Sequence, residues 1–267
     1  MFNLLKTELL SRRGAILGWG IGLVLFGAMY IVVYPEMADQ LAALSDISAY
    51  QAMGVEMSTF EGYLASAVVQ YLAIILGVYG LITGTGTLAG EEDSGTLELL
   101  LATPLTRWQI VLIKALALAI VMFLILVIAG AGSAAILGAT EIETEVTPQD
   151  LFVAILSAWP IVFLFTMFSL FLGAYLPSRR AAATVATVVF ILAYFGESLS
   201  GMVNSLEPVR PFSPFYHFET GSALFTEGIS PEGPLILSGV ALLFLILAVL
   251  SFSRRDVTVG AWPWQRA

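Results

Sequence analysis

The sequence predicts an all-α integral membrane protein with about six transmembrane helices and both termini cytoplasmic. Three observations carry this. Of 267 residues, 58% are hydrophobic and only 12% charged, more apolar surface than a soluble core of this size needs. The apolar residues come in long blocks, most of which reach the roughly 20 residues that cross about 30 Å of hydrocarbon. The basic residues then sort to one side of those blocks, as cytoplasmic loops require.

Taken in order, the chain opens with residues 2–13, FNLLKTELLSRR, where Phe2, Leu5 and Leu9 recur at helical spacing with Lys6 and Arg13 elsewhere. That pattern suits a helix lying along the cytoplasmic interface; the alternative is an ordinary charged flank of the first span. Apolar runs follow near residues 14–34, 63–89, 109–138, 151–176, 181–198 and 234–253. The first is long for a signal sequence and no Ala-x-Ala site follows it, so it reads as an uncleaved helix. In the second, Gly77, Gly80, Gly84 and Gly86 place small residues along the helix, which favours close packing over bending. Trp159 and Pro160 interrupt the fourth, where the proline removes a backbone hydrogen bond and permits a bend, static or gating.

With the N-terminus inside, ten of the eleven basic residues fall on the cytoplasmic side and Arg210 alone outside. Fourteen of the twenty acids fall outside, among them Glu141, Glu143, Glu145 and Asp150, leaving the outer face near −13 and the inner near +4. Glu197 sits at the outer end of the fifth run, suited to simple interfacial placement or, less favourably, to substrate contact. The outer segment 199–233 carries Pro208, Pro211, Pro214 and Pro231 among Phe212, Phe215, Tyr216, Phe218 and Phe225. Proline this dense forbids a span, and the aromatics predict short helices or turns tucked against the outer leaflet. His217, alone in its surroundings, is an incidental histidine rather than a pH sensor. The whole of 1–267 reads as one transmembrane domain, with 1–13 as the interfacial helix, 91–107 as a cytoplasmic loop and 199–233 as the extracytoplasmic segment.

Several chemistries are excluded. With no cysteine and one histidine, thiolate metal sites, iron–sulfur clusters and disulfides have no ligands. The net charge of −9 argues against nucleic acid. No Gly-x-x-x-x-Gly-Lys-Ser/Thr string occurs; the nearest, Gly84 to Gly90, lacks the lysine, so this chain has no phosphate cradle of its own. Catalytic, cofactor and metal residues are all expected to be absent.

The informative loop is GEEDSGTLELLLATPLTR, residues 90–107. Asp93 or Ser94 can cap a short helix whose first-turn acids complement the dipole, with Leu97, Leu100 and Leu101 on one face. Thr103 and Pro104 then read as the cap and first-turn proline of the next helix. A leucine face with no core of its own needs a surface, and the acids would be repelled by anionic lipid, so a protein groove suits it better.

Here the sequence resembles a family. EEDSGTLELLLATPLTR is similar to the acidic, Gly-Thr-Leu-Glu, Leu-rich, Thr-Pro stretch between the second and third spans of type-2 ABC exporter permeases, and the six spans, N-terminal helix and long outer segment extend the likeness over most of the chain. The resemblance implies that this loop is a coupling helix that plugs into a separate cytoplasmic ABC ATPase, with Glu91, Glu92, Gly95, Thr96, Leu97, Glu98, Leu100 and Pro104 as contacts. It further implies two ATPase copies holding ATP and Mg, a second permease copy or a related permease, residence in the inner (plasma) membrane among its lipids, and outward transport of amphipathic or hydrophobic molecules such as drugs, antibiotics, lipids or peptides. The other classes weighed are an ATP-independent secondary transporter, which should show membrane-centre acids or paired broken helices, a membrane-embedded enzyme, which needs facing catalytic groups, and a membrane scaffold.

Overall fold

The computed structural model describes residues 2–45, 59–93, 95, 97, 103–200 and 203–254. Among these every regular element is helical. A short helix α1 (Phe2–Ser11) turns at Arg12 into α2 (Arg13–Ser45). Then come α3 (Phe60–Asp93), α4 (Arg107–Ala139), the broken pair α5 (Pro148–Leu156) and α6 (Trp159–Tyr175), and α7 (Arg179–Ser200). Two 3₁₀ segments, Asn204–Phe212 and Pro214–His217, and the single-turn α8 (Ala223–Thr226) lead to α9 (Glu232–Arg254).

Six stretches are long and apolar enough to span a membrane: α2, α3, α4, α5 with α6, α7 and α9. They bracket the six predicted runs, each helix outlasting its run at one end or both, because a helix continues into polar flanks until a residue stops it. The spans alternate in direction. Arg13, Asp93, Arg107, Arg179 and Arg254 therefore share one end, here the basic end, and Glu61, Glu143, Asp150, Glu207 and Glu232 share the acidic end.

More than half of the apolar stretch of α3, α4 and α5–α6 is buried, against less than a quarter of α2, α7 and α9. Helix α6 is the hub, packing most extensively on α3 and α9, while α2 lies along α4. In lipid, association gains little from hiding apolar surface, so close approach decides it. Gly80 and Gly84 of α3 face Thr166 and Ser169 of α6, and Gly173 of α6 faces the Thr85 carbonyl in return. The hydroxyls in this dry contact bond to their own helices: Thr85 Oγ1 donates to Leu81 O, Thr166 Oγ1 to Val162 O and Ser169 Oγ to Phe165 O, each at 2.7 Å. No polar group there asks for water.

The break in the fourth span falls at Ser157–Ala158, and Pro160 occupies the first turn of α6, where its missing N–H costs no helical bond. A feature the apolar pattern does not show is the π-helical stretch Leu64–Gln70 within α3. Beside it the Tyr63 hydroxyl donates to Tyr30 O at 3.2 Å and Tyr34 packs on Phe60, tying α2 to α3 at the acidic end.

The proline-rich segment at the acidic end folds back as short turns, as its prolines and aromatics predict. Phe215 and Phe218 are buried, and Phe215 wedges against Phe165 and Phe190. The turns thus tuck against the bundle itself, whereas Phe212 is exposed. Arg210 Nε bonds Glu197 Oε1 at 2.8 Å, and Ser213 Oγ donates to Ala193 O at 2.9 Å. His217 Nε2 meets Pro211 O at 2.9 Å.

Candidate functional site

The loop singled out in the sequence leaves the basic end, where α3 outlasts the predicted second run; of the predicted capped helix Leu97 is described and helical, and most of the rest lies outside the described residues. Glu91, Glu92 and Asp93 form the last turn of α3, so of the two predicted caps Asp93 closes that helix, and Ser94 lies outside the described residues. The stop is Gly95, whose φ of +72° is left-handed and whose N–H bonds Glu92 O at 3.1 Å; a residue without Cβ takes that conformation without strain. The next helix also begins later than Thr103–Pro104: α4 starts at Arg107, with Thr106 as its cap and the Thr106 N–H donating to Gln109 Oε1 at 3.0 Å. Thr103 and Pro104 stand exposed in the turn before it.

Three acids at a helix C-terminus oppose the helix dipole. The compensation comes from Lys114, two turns into α4. Its side chain is 1% exposed, and its ammonium bonds Glu91 Oε1 at 2.5 Å and Glu8 Oε1 of α1 at 2.6 Å. Arg12 extends the set, with Nε 3.7 Å from Glu8 Oε2 and Nη2 donating to Thr87 Oγ1 at 3.3 Å. Thr87 in turn donates to Thr83 O at 2.6 Å. Two carboxylates and two cations are thereby brought together with no net formal charge, which offsets the cost of holding them at the bundle's edge. The bracket joins α1, the turn entering α2, the end of α3 and the start of α4.

Further along, the guanidinium of Arg179, first residue of α7, lies across Gly86 and Gly90 of α3. A side chain at Gly86 would meet Arg179 Nη2 at 3.3 Å, so the small residues here seat a cation as well as a helix.

The predicted contact residues divide accordingly. Glu91 is in the bracket; Glu92 is buried at 9% exposure; Gly95 and Pro104 are exposed. Leu97 is only 1% exposed and belongs to the hydrophobic core, which corrects the expectation that it stands on an exposed leucine face. The physical reason is that the bundle itself supplies the apolar core that a short loop helix lacks. Thr96, Glu98 and Leu100 lie outside the described residues. In α1, Phe2 is exposed at the tip, Leu5 is partly covered and Leu9 packs against the core.

Glu8, Arg12 and Lys114 are the residues the sequence reading passed over as ordinary flanking charges. A signal was available: Lys114 falls inside the apolar run 109–138, and an ionisable group within a span marks a functional position with a partner. Among the described residues no group of three or more His, Cys, Asp or Glu side chains is placed to hold a metal. What the arrangement can do is mechanical, tying the stem of an exposed turn to α1 and α4 through charge-assisted bonds.

Compared with known protein families, residues 2–257 match the family model described as "ABC-2 family transporter protein". Comparison with curated proteins gives no match.

Proposed function

Because the chain belongs to the ABC-2 family of transporter membrane proteins, we propose that it is the permease subunit of an ATP-driven exporter whose basic end faces the cytoplasm. The positive-inside distribution supports the orientation. The ATPase is a separate polypeptide, two copies of which bind ATP and Mg and dock at the turn between α3 and α4. A second permease, identical or related, completes the path. The cargo is an amphipathic or hydrophobic molecule, and the membrane is the inner (plasma) membrane.

The observation that supports this reading best is the bracket of Glu8, Lys114 and Glu91. A docking turn must pass its displacement to the spans rather than flex. This turn is pinned at its α3 stem to α4 through Lys114, and through the same ammonium to α1. A push delivered at Gly95 or Pro104 therefore moves the ends of α3 and α4 together with α1.

The test uses an exposed position rather than a buried one. Leu97→Asp would place a carboxylate in the core and report on folding. Pro104→Arg adds bulk and charge to an exposed turn, so melting in detergent should match that of the parent. Recovery of the co-expressed ATPase on affinity purification should fall on the order of tenfold, the loss of one well-seated interface residue. Equal ATPase recovery from parent and variant would overturn the docking role of this turn.

A further inference from the structure

Between α4, α6 and α9 an apolar groove of about 510 Å³ opens on the surface of the bundle. Its lining carries no charged side chain. One wall is rigid: the Trp159 indole stacks on Phe163 with centroids 4.8 Å apart and planes 7° apart, and its Nε1–H donates to Ala119 O at 3.4 Å. The facing wall on α4 runs from Leu112 through Leu116 to Phe123.

We propose that this groove seats one acyl chain of an anionic phospholipid from the leaflet at the basic end. Three observations choose this occupant. The groove lies wholly within membrane-spanning helices, where a void of this size loses contacts on every wall unless something apolar fills it. From Leu112 to Phe123 is about 16 Å of helix at 1.5 Å per residue, which matches the hydrocarbon depth of one leaflet, about 15 Å. The charge at its basic end is complementary to an anionic headgroup. α4 and α9 are antiparallel, so Arg107, which opens α4, and Arg254, which closes α9, end the two helices that form the groove's sides. Trp108, one turn before Leu112 and 46% exposed, stands at that boundary, where tryptophan sits among headgroups. A smooth stacked wall also suits a polymethylene chain better than the knobs of a partner helix.

The test is native mass spectrometry of the detergent-purified full chain, titrated with phosphatidylglycerol or with phosphatidylcholine of equal chain length. One phosphatidylglycerol per chain should bind more tightly than the zwitterionic lipid. Leu116→Trp fills the groove at a half-exposed position and should weaken that binding on the order of tenfold, the worth of a few displaced methylenes. Leu243→Trp, on the lipid-facing side of α9 outside the groove, should bind as the parent does and controls for folding. Arg107→Gln with Arg254→Gln should abolish the preference for the anionic lipid. Parent-like binding by Leu116→Trp, or a preference that survives loss of both arginines, would overturn the proposal. So would a disulfide-linked pair formed in membranes by Leu116→Cys, since the chain has no other cysteine and the groove would then be covered by a second copy.

Discussion

Lys114→Met should cost about 3 kcal/mol, the low end of what removal of one partner from a buried ion pair costs. The low end applies because Glu8 and Glu91 keep some exposure, 13% and 29%. Methionine retains the length of the side chain and the packing of α4, so the loss is the ammonium alone. Glu8 and Glu91 are then left facing each other at the edge of the bundle, and Arg12 can pair with Glu8 only. Melting in detergent should drop, and α1 should become sensitive to protease before the rest of the chain. Adding Glu8→Gln and Glu91→Gln to Lys114→Met removes the stranded charges and should restore most of the melting temperature. The triple variant keeps the shape but has weaker bonds between α1, α3 and α4. If the bracket transmits motion, ATPase stimulation should stay reduced in this variant while stability recovers. Recovery of both together would make the bracket a purely structural tie.

Gly84→Ala should cost about 2 kcal/mol, a typical cost of overpacking, and should loosen the contact between α3 and α6. A Cβ at Gly84 would lie 2.7 Å from Thr166 O and 3.1 Å from Leu170 N, both backbone atoms, besides 2.8 Å from Ser169 Cβ. Backbone cannot rotate aside, so the helices must separate. Gly80→Ala meets chiefly the Thr166 hydroxyl, which a change of rotamer relieves, and should cost less. Gly18→Ala on α2 meets nothing within 4 Å and should be neutral. Melting curves of the three in one detergent give the ranking, and equal losses would mean that α3 and α6 are not packed this closely.

The spans were legible because a hydrocarbon solvent demands unbroken apolar runs, and because few polar residues interrupt them. The break near Pro160 was legible for the same local reason, and so were the short turns of the outer segment. Where the reading failed, a residue's role depended on something distant in the chain. Asp93 reads as a cap for a new helix, with Glu91 and Glu92 just before it, because acids favour helix N-termini. They sit at a C-terminus because α3 runs on to Gly95, and Lys114, twenty-three residues from Glu91, makes that tolerable. Leu97 reads as exposed because a short loop helix has no core of its own, yet it packs into the core of the bundle. The pairing of Glu197 with Arg210 joins α7 to a segment ten residues beyond it, which periodicity cannot show.

The central claim is that this transporter subunit works with an ATPase of separate sequence docked at the basic end. The most direct measurement is a detergent pull-down of the tagged full chain from its native membrane, with the stoichiometry of co-purifying proteins read by mass spectrometry. Recovery of a Walker-motif ATPase in equimolar amount, lost in the Pro104→Arg chain, is the predicted result. Recovery of the folded chain with no ATPase in stoichiometric amount would contradict the account.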